Sequence, residues 1–225
     1  GPTELARAHQ SVSRSPNSGA CLSNLAHQLR LVDRPLEALS WSRWAVRPSA
    51  WPEGHVDQRA LRVLGAVLID VGLFAAADEA YRQADPDAAL PTVQVSRSRA
   101  LMGLEAWPQA WALAERRFDL QALPTAALPG PHWRGWPGVE QLNVWDEQGF
   151  GDTLQGLRWL PLALKRVERL TLWVRPPLVR LLQQGLAWLG PRLQVRARRQ
   201  GDACAAGGAC SGWLHSPPGW LRWPP

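Results

Sequence analysis

Small and apolar residues recur at helical spacing through the first half of the chain, in two registers that match position by position. The registers cover residues 22–45 and 61–84, so the second repeats the first after 39 residues. Small side chains let two antiparallel helices approach closely, and larger ones fill the seam between neighbouring hairpins. The pattern predicts two helix–turn–helix units, with a third, less regular unit over residues 97–118. The small residues fall at equal offsets: Ala26, Ala38 and Ala45 in the first register, and Gly65, Ala77 and Ala84 in the second.

The pattern changes after residue 138, where short apolar runs alternate with segments of helical period. This alternation is typical of βαβ units and a parallel sheet. It predicts strands at residues 141–146, 170–174 and 193–197, and a helix over residues 152–164. Three strands make a partial sheet. A second helix is expected to begin at Pro176, with one apolar face made of Leu178, Leu181, Leu182 and Leu186.

Two segments lack any period. Residues 120–138 are rich in proline, glycine and tryptophan, which break helices and favour extended backbone, so they are predicted to be a linker. Residues 200–225 are glycine, alanine, proline and tryptophan without a repeat, and are predicted to be an irregular tail of truncated appearance. The expected fold class is α plus α/β. Its parts are helical repeats at 1–119, the linker, a partial α/β domain at 139–199 and the tail.

Residues 142–155 join the first predicted strand to its helix through a turn that contains Gly149 and Gly151. Glycine permits positive φ and close approach of the backbone to a ligand. The first amides of the next helix have no partner within that helix, and they favour anions. The sequence therefore predicts an anion-binding corner here.

Composition narrows the class of protein. The apolar content of 46% is enough to bury a real core. Apolar runs stay well short of eighteen residues and no leader is visible, so we expect no membrane span and a cytoplasmic location. Three cysteines fit a reducing compartment, and Cys204 and Cys210 lack further ligands for zinc, so no metal site is expected.

Charge adds little to this picture. The formal net charge is +6, with a basic cluster within residues 192–199. Zinc-finger spacing and an aromatic RNA-binding signature are absent, so we expect a solvated basic face and no nucleic-acid partner. The fourteen tryptophans are scattered along the chain, which favours packing over base stacking for most of them.

The helical registers resemble tetratricopeptide repeats, whose consensus has this order of bulky, small and aromatic residues over about 34 residues. The second half of the chain contains four short motifs in a fixed order: Trp-x-Gly at residues 133–135, Glu-Gln-Gly-x-Gly-Asp at 147–152, Arg-x-x-Pro at 158–161 and Val-x-Pro-x-Leu at 174–178. With these motifs it resembles the bacterial tetratricopeptide-repeat glycosyltransferases, of the GT-B type that includes heptosyltransferases and O-GlcNAc transferases. That resemblance implies a short α-solenoid followed by the first Rossmann-like domain of a transferase.

The resemblance also implies roles for individual residues. Asp152 matches an acidic residue that takes the proton from an acceptor hydroxyl while a sugar leaves its nucleotide. A structural role stays open, because Asp152 is a good N-cap and Gln155 would complete a capping box. Arg158 has a substrate role or a surface role. The predicted ligand-binding residues lie around the turn, at the carboxyl end of the first strand: Glu147, Gln148, Gly149, Gly151 and Thr153.

GT-B transferases close two Rossmann-like domains around the donor and hold the nucleotide mainly in the second, whereas this sequence has part of the first. We therefore expect binding rather than catalysis from the chain as it stands, with no cofactor. The expected partners are a protein or peptide on the helical repeats and a nucleotide-sugar or acceptor glycan at the turn. The alternative is a non-enzymatic interaction scaffold whose α/β part is a cap.

Overall fold

A computed structural model describes residues 2–52, 54–120, 133, 135–146, 149–198 and 210–213. The chain divides into two compact units, Gly1–Leu123 and Pro124–Pro225. The first is helical, and the second holds a parallel sheet. The predicted fold class, helical repeats followed by a partial α/β domain, is confirmed.

The first unit consists of a leading helix and three helical hairpins. The first helices of the hairpins pack side by side, and each also packs against its own second helix. A 3-10 turn at Glu115–Asp119 closes the unit. The helices are α1 (Pro2–Arg14), α2 (Gly19–Leu31), α3 (Pro35–Ala45), α4 (Gln58–Asp70), α5 (Phe74–Ala84), α6 (Pro91–Gly103) and α7 (Trp107–Ala114).

The small residues of the two registers are buried where helices meet, as predicted. Ala26, Ala38 and Ala77 are fully buried. At Gly65 a Cβ atom would lie 2.8 Å from Cζ of Tyr81, so only glycine lets α4 approach α5 this closely. The repeat pattern in the sequence therefore records real contacts between helices.

The third hairpin begins earlier than the sequence predicted, at Pro91 rather than near residue 97. The buried carboxylate of Asp85 accepts hydrogen bonds from Ala89 N and Leu90 N, both at 3.0 Å, and from Gln94 Nε2 at 2.6 Å. These bonds fix the turn that precedes α6. Polar contacts across a turn have no helical period, and the sequence pattern does not reveal them.

The second unit is a four-stranded, wholly parallel sheet among the described residues, in the order β3-β2-β1-β4. Its predicted helix over 152–164 is instead two short helices joined by a 3-10 turn at Leu157–Trp159, since Pro161 has no N–H to donate to residue 157. The elements are β1 (Val139–Trp145), α8 (Phe150–Gly156), α9 (Leu160–Leu164), β2 (Val167–Val174), α10 (Pro176–Gly185), β3 (Leu193–Ala197) and β4 (Cys210–Trp213).

One face of this sheet forms the core of the second unit. Leu142 and Val144 of β1 and Leu170 and Leu172 of β2 are buried there, together with helical residues that include Leu160, Leu178 and Leu182. The predicted apolar face of α10 is correct for Leu178 and Leu182, and Leu186 packs partly against the core. It is wrong for Leu181, whose exposed fraction is 55%.

Strand β4 was not predicted, and it corrects the view of residues 200–225 as wholly irregular. It pairs with β1 in parallel, with Val144 opposite Gly212. Four residues are too few to show an alternating pattern, so only the pairing with β1 identifies this strand. No helix in the part of the chain that the structure describes has the length and hydropathy to cross a membrane.

Candidate functional site

The predicted site lies at the carboxyl edge of the sheet, where β1 ends. From β1 the chain builds outward through β2 to β3 on one side, and β4 pairs with β1 on the other side. The strand order therefore reverses between β1 and β4. In open parallel sheets, ligands bind at such a switch point, outside the carboxyl ends of the strands. The turn after β1 is thus well placed to contact a ligand.

The backbone of this turn differs from the prediction. Gly149 has φ −71° and ψ 171°, an extended conformation that any residue adopts, and Gly151 lies in the first turn of α8. Neither has positive φ. At Gly151 a Cβ atom would meet nothing within 4 Å, so the space beside it is open. The bend of the chain therefore does not require glycine at these positions. The other reason given for glycine, space for a ligand to approach the backbone, is consistent with the open space at Gly151.

Asp152 stabilises the start of α8 from a different position than expected. The helix begins at Phe150 with Gly149 as N-cap, so the predicted N-cap role of Asp152, with Gln155 completing the box, is wrong by three residues. Asp152 instead stands at the third helical position, and its Oδ2 accepts a hydrogen bond from Gly149 N at 3.0 Å. Its Oδ1 has no hydrogen bond from any described residue, and the side chain is half-buried.

Thr153 faces inward. Its side chain is fully buried, and its hydroxyl donates to Gly149 O at 3.1 Å and accepts from Arg175 Nη2 at 3.4 Å. The structure therefore places Gly149, Gly151, Asp152 and Thr153 at the start of α8, and their role in ligand binding stays a prediction. The other two predicted ligand residues, Glu147 and Gln148, lie outside the described residues.

Three charged residues that the sequence analysis missed meet at this edge. Asp146 is fully buried, and Arg175 donates to its Oδ2 from N at 3.1 Å and from Nε at 2.8 Å. Arg198 lies 3.2 Å from Oδ1 and also donates to the main-chain oxygen of Asp146 at 2.5 Å. Each of these residues directly follows a strand. Because parallel strands have their carboxyl ends at one edge of the sheet, the sequence could have predicted that the three residues lie close together.

Apolar and aromatic groups border the same edge. Phe150 and Leu154, one helical turn apart on α8, are each 45% exposed, and the guanidinium of Arg175 lies 4.6 Å from the centre of the Phe150 ring. Arg158 is exposed, and its guanidinium lies 4.6 Å from the centre of the Trp159 ring. The edge thus offers a carboxylate, a guanidinium and an exposed ring.

The structure offers no cluster of three or more possible metal-ligating side chains within the described ranges. Cys21 is a free thiol. Cys204 lies outside those ranges, and Cys210 is described only by its backbone in β4.

Comparison with known proteins adds a distant structural likeness. No family model and no curated protein matches the sequence. Among solved structures, a mutant O-GlcNAc transferase from Thermobaculum terrenum is similar over 84% of this chain, at 16% sequence identity and a TM-score of 0.45. The match covers 37% of that chain, so this sequence spans little more than a third of its length.

Proposed function

We propose that this chain is a tetratricopeptide-repeat protein that carries the N-terminal part of a nucleotide-sugar glycosyltransferase, and that by itself it binds ligands rather than catalyses transfer. The observation that carries the proposal is the turn at Gly149–Asp152, placed where the strand order of a parallel sheet reverses and following a unit of helical hairpins. The order of units and the motif agree with the resemblance noted in the sequence.

Asp152 is the proposed acid–base group. One carboxylate oxygen is held by Gly149 N, which fixes the orientation of the side chain. The other is available to accept the proton of an acceptor hydroxyl, whose oxygen would attack the anomeric carbon as the nucleotide leaves with the bonding electrons. Asp146 holds Arg175, which also donates to Thr153, the residue after Asp152, and a cation is thereby kept at the edge. Glu147, Gln148, Gly149, Gly151 and Thr153 are the proposed ligand-binding residues.

The helical unit is proposed to bind a protein or peptide. Its first helices α2, α4 and α6 lie side by side and form one continuous surface, while α3, α5 and α7 pack behind them. Solenoids of this kind present such extended surfaces to partners.

One observation favours the alternative, a non-enzymatic interaction scaffold. The hydrogen bond from Gly149 N to Asp152 gives that residue a structural role at the helix start. On this view the α/β unit is a cap, and the turn binds no nucleotide.

Replacing Gly151 by alanine separates the two functions. The new methyl group enters open space, and alanine is favoured over glycine in a helix by about 0.5–1 kcal/mol, so the variant stays folded. If UDP or ADP approaches the backbone at this turn, the methyl group excludes it, and affinity measured by calorimetry on the full chain falls about tenfold.

The matched control is Gly185→Ala, which makes the same change in open space on α10. It is expected to leave nucleotide affinity unchanged. If neither UDP nor ADP produces heat of binding with the unmodified chain at concentrations up to low millimolar, nucleotide binding is refuted. The scaffold function then remains.

A further inference from the structure

Charge is divided unequally between the two helix layers of the first unit. Helices α2, α4 and α6 together carry five arginines against one carboxylate, a formal charge of +4. Helices α3, α5 and α7 carry two arginines against three carboxylates, a formal charge of −1. Positive charge within the helical unit is therefore concentrated on one side. The arginines of the basic layer are Arg30, Arg59, Arg62, Arg97 and Arg99.

Most of these arginines share the face that points away from the other layer. On α4, Arg59 and Arg62 are exposed, whereas Leu68 is buried and Gly65 faces Tyr81 of α5. Arg99 is exposed at the corresponding place on α6, and Arg30 is partly exposed on α2. Because α4 lies between α2 and α6, these side chains form one surface, which we call the arginine face: Arg30, Arg59, Arg62 and Arg99.

Neighbouring carboxylates neutralise only part of this layer. Arg30 forms an ion pair with Asp70 on α4, with Nε and Oδ2 2.5 Å apart. Arg97 pairs with Asp78 of α5 at 2.6 Å and so points toward the other layer. Within the described ranges, Arg59, Arg62 and Arg99 form no ion pair. Three exposed guanidinium groups therefore lie on one face without a carboxylate of the described chain to neutralise them.

The titration of His27 reports the same positive surroundings. This α2 residue lies close to Arg30 on its own helix and to Arg59 on α4. Burial first, and then these two arginines, lower its pKa from the ordinary value of 6.5. The unfolded chain therefore binds the His27 proton more readily than the folded chain, so this residue removes stability as the pH falls below about 6.5.

An NMR titration of the full chain checks this effect. His27 is expected to titrate below 6.5, and Arg59→Gln is expected to move its pKa upward, because a nearby positive charge is removed. Arg43→Gln, a change on α3, serves as the control and leaves the titration where it was. An unchanged His27 pKa in the Arg59 variant would contradict the proximity of these two groups.

From this charge pattern we infer that the arginine face binds an acidic peptide segment of a partner protein. The inference rests on the proposed peptide-binding function and specifies its ligand. The guanidinium group of arginine binds a carboxylate through two parallel N–H donors. Three guanidinium groups on adjacent helices therefore match several acidic side chains along one extended peptide. Charge complementarity of this kind raises both specificity and association rate.

The composition of the face favours a peptide over a nucleic acid. The partly exposed residues between the arginines include Val63, Ile69 and Val95, which suit the apolar side chains of a peptide. Tryptophan, tyrosine and phenylalanine are absent from α2, α4 and α6, so stacking platforms for bases are missing from these helices.

The test uses the full chain on an array of random dodecapeptides that span a wide range of net charge. Acidic peptides are expected to bind best, and their binding is expected to weaken as salt is raised. The triple variant Arg59→Gln, Arg62→Gln, Arg99→Gln should bind its best peptide about tenfold more weakly, since three exposed ion pairs are lost. A control variant with Arg14→Gln, Arg43→Gln and Arg47→Gln removes three other exposed arginines and should bind as the unmodified chain does.

The remaining outcomes distinguish failure of this inference from failure of the proposed peptide-binding function. Equal binding of acidic and neutral peptides, or equal losses in both triple variants, overturns the inference and leaves peptide binding standing. Failure of every peptide to bind removes the peptide-binding function itself. Preference for a single-stranded oligonucleotide over every peptide overturns the inference in favour of a polyanion site.

Discussion

Replacing Asp146 by asparagine is expected to lower the free energy of unfolding of the α/β unit by about 2–3 kcal/mol. The carboxylate is fully buried and accepts two hydrogen bonds from Arg175, while Arg198 lies within ion-pair distance. Asparagine keeps the shape but loses the charge and turns an amide N–H₂ toward cations. Both arginine side chains are about one third exposed, so water compensates part of the loss.

Hydrogen exchange of the β1 and β2 amides measures this effect within the sheet. The matched control is Glu140→Gln on the same strand, whose carboxylate pairs with Arg169 at 2.5 Å but is 72% exposed. That ion pair is expected to contribute less than about 0.5 kcal/mol. Equal exchange rates in the two variants would show that burial adds nothing to the Asp146 cluster.

Replacing Gly65 by leucine is expected to destabilise the helical unit by about 3 kcal/mol, because the new side chain overlaps the Tyr81 ring. A Cβ atom alone would lie 2.8 Å from Cζ of that ring. Tyr81 is itself buried and packs beside Ala84 and Val93 in the core of this unit, so it has little room to move. Thermal unfolding followed by far-UV circular dichroism reports the loss of helix.

Two further variants test whether the loss of stability comes from the contact between Gly65 and Tyr81. Gly185→Leu places the same side chain in open space on α10 and is expected to leave the helical transition unchanged. Gly65→Ala combined with Tyr81→Leu should be more stable than the sum of the single changes, since the smaller side chain relieves the overlap. Strict additivity of the two changes would contradict the proposed contact.

The contrast between Gly65 and Gly151 shows where sequence reasoning about glycine succeeded and where it failed. Gly65 was predicted from its place in a repeated register, and a close approach of α5 requires it. Gly151 was predicted to allow positive φ or close approach to a ligand. Neither it nor Gly149 has positive φ, and the close approach stays a prediction. Periodicity records packing against a neighbouring element, whereas a glycine in a turn has several explanations that only the backbone distinguishes.

The candidate site shows the same division. Its location at the end of the first strand followed from an apolar run that leads into a helical period. The identity of its charged residues did not, because Asp146, Arg175 and Arg198 come from three separate strand ends. Their meeting depends on parallel pairing in register, which joins residues 29 and 52 positions apart in sequence.

The sequence by itself determined which segments form helical hairpins and which alternate as strands and helices, since those patterns arise from which side of each element is buried. It also located the turn at Gly149–Asp152. Tertiary structure decided the rest: the start of α6 through Asp85, the place of Asp152 within α8, the strand β4, and the clustering of charges at the sheet edge. The first two depend on side-chain hydrogen bonds across a turn, and the last two on pairing between residues distant in the chain. Neither kind of contact produces a helical or strand period in the sequence.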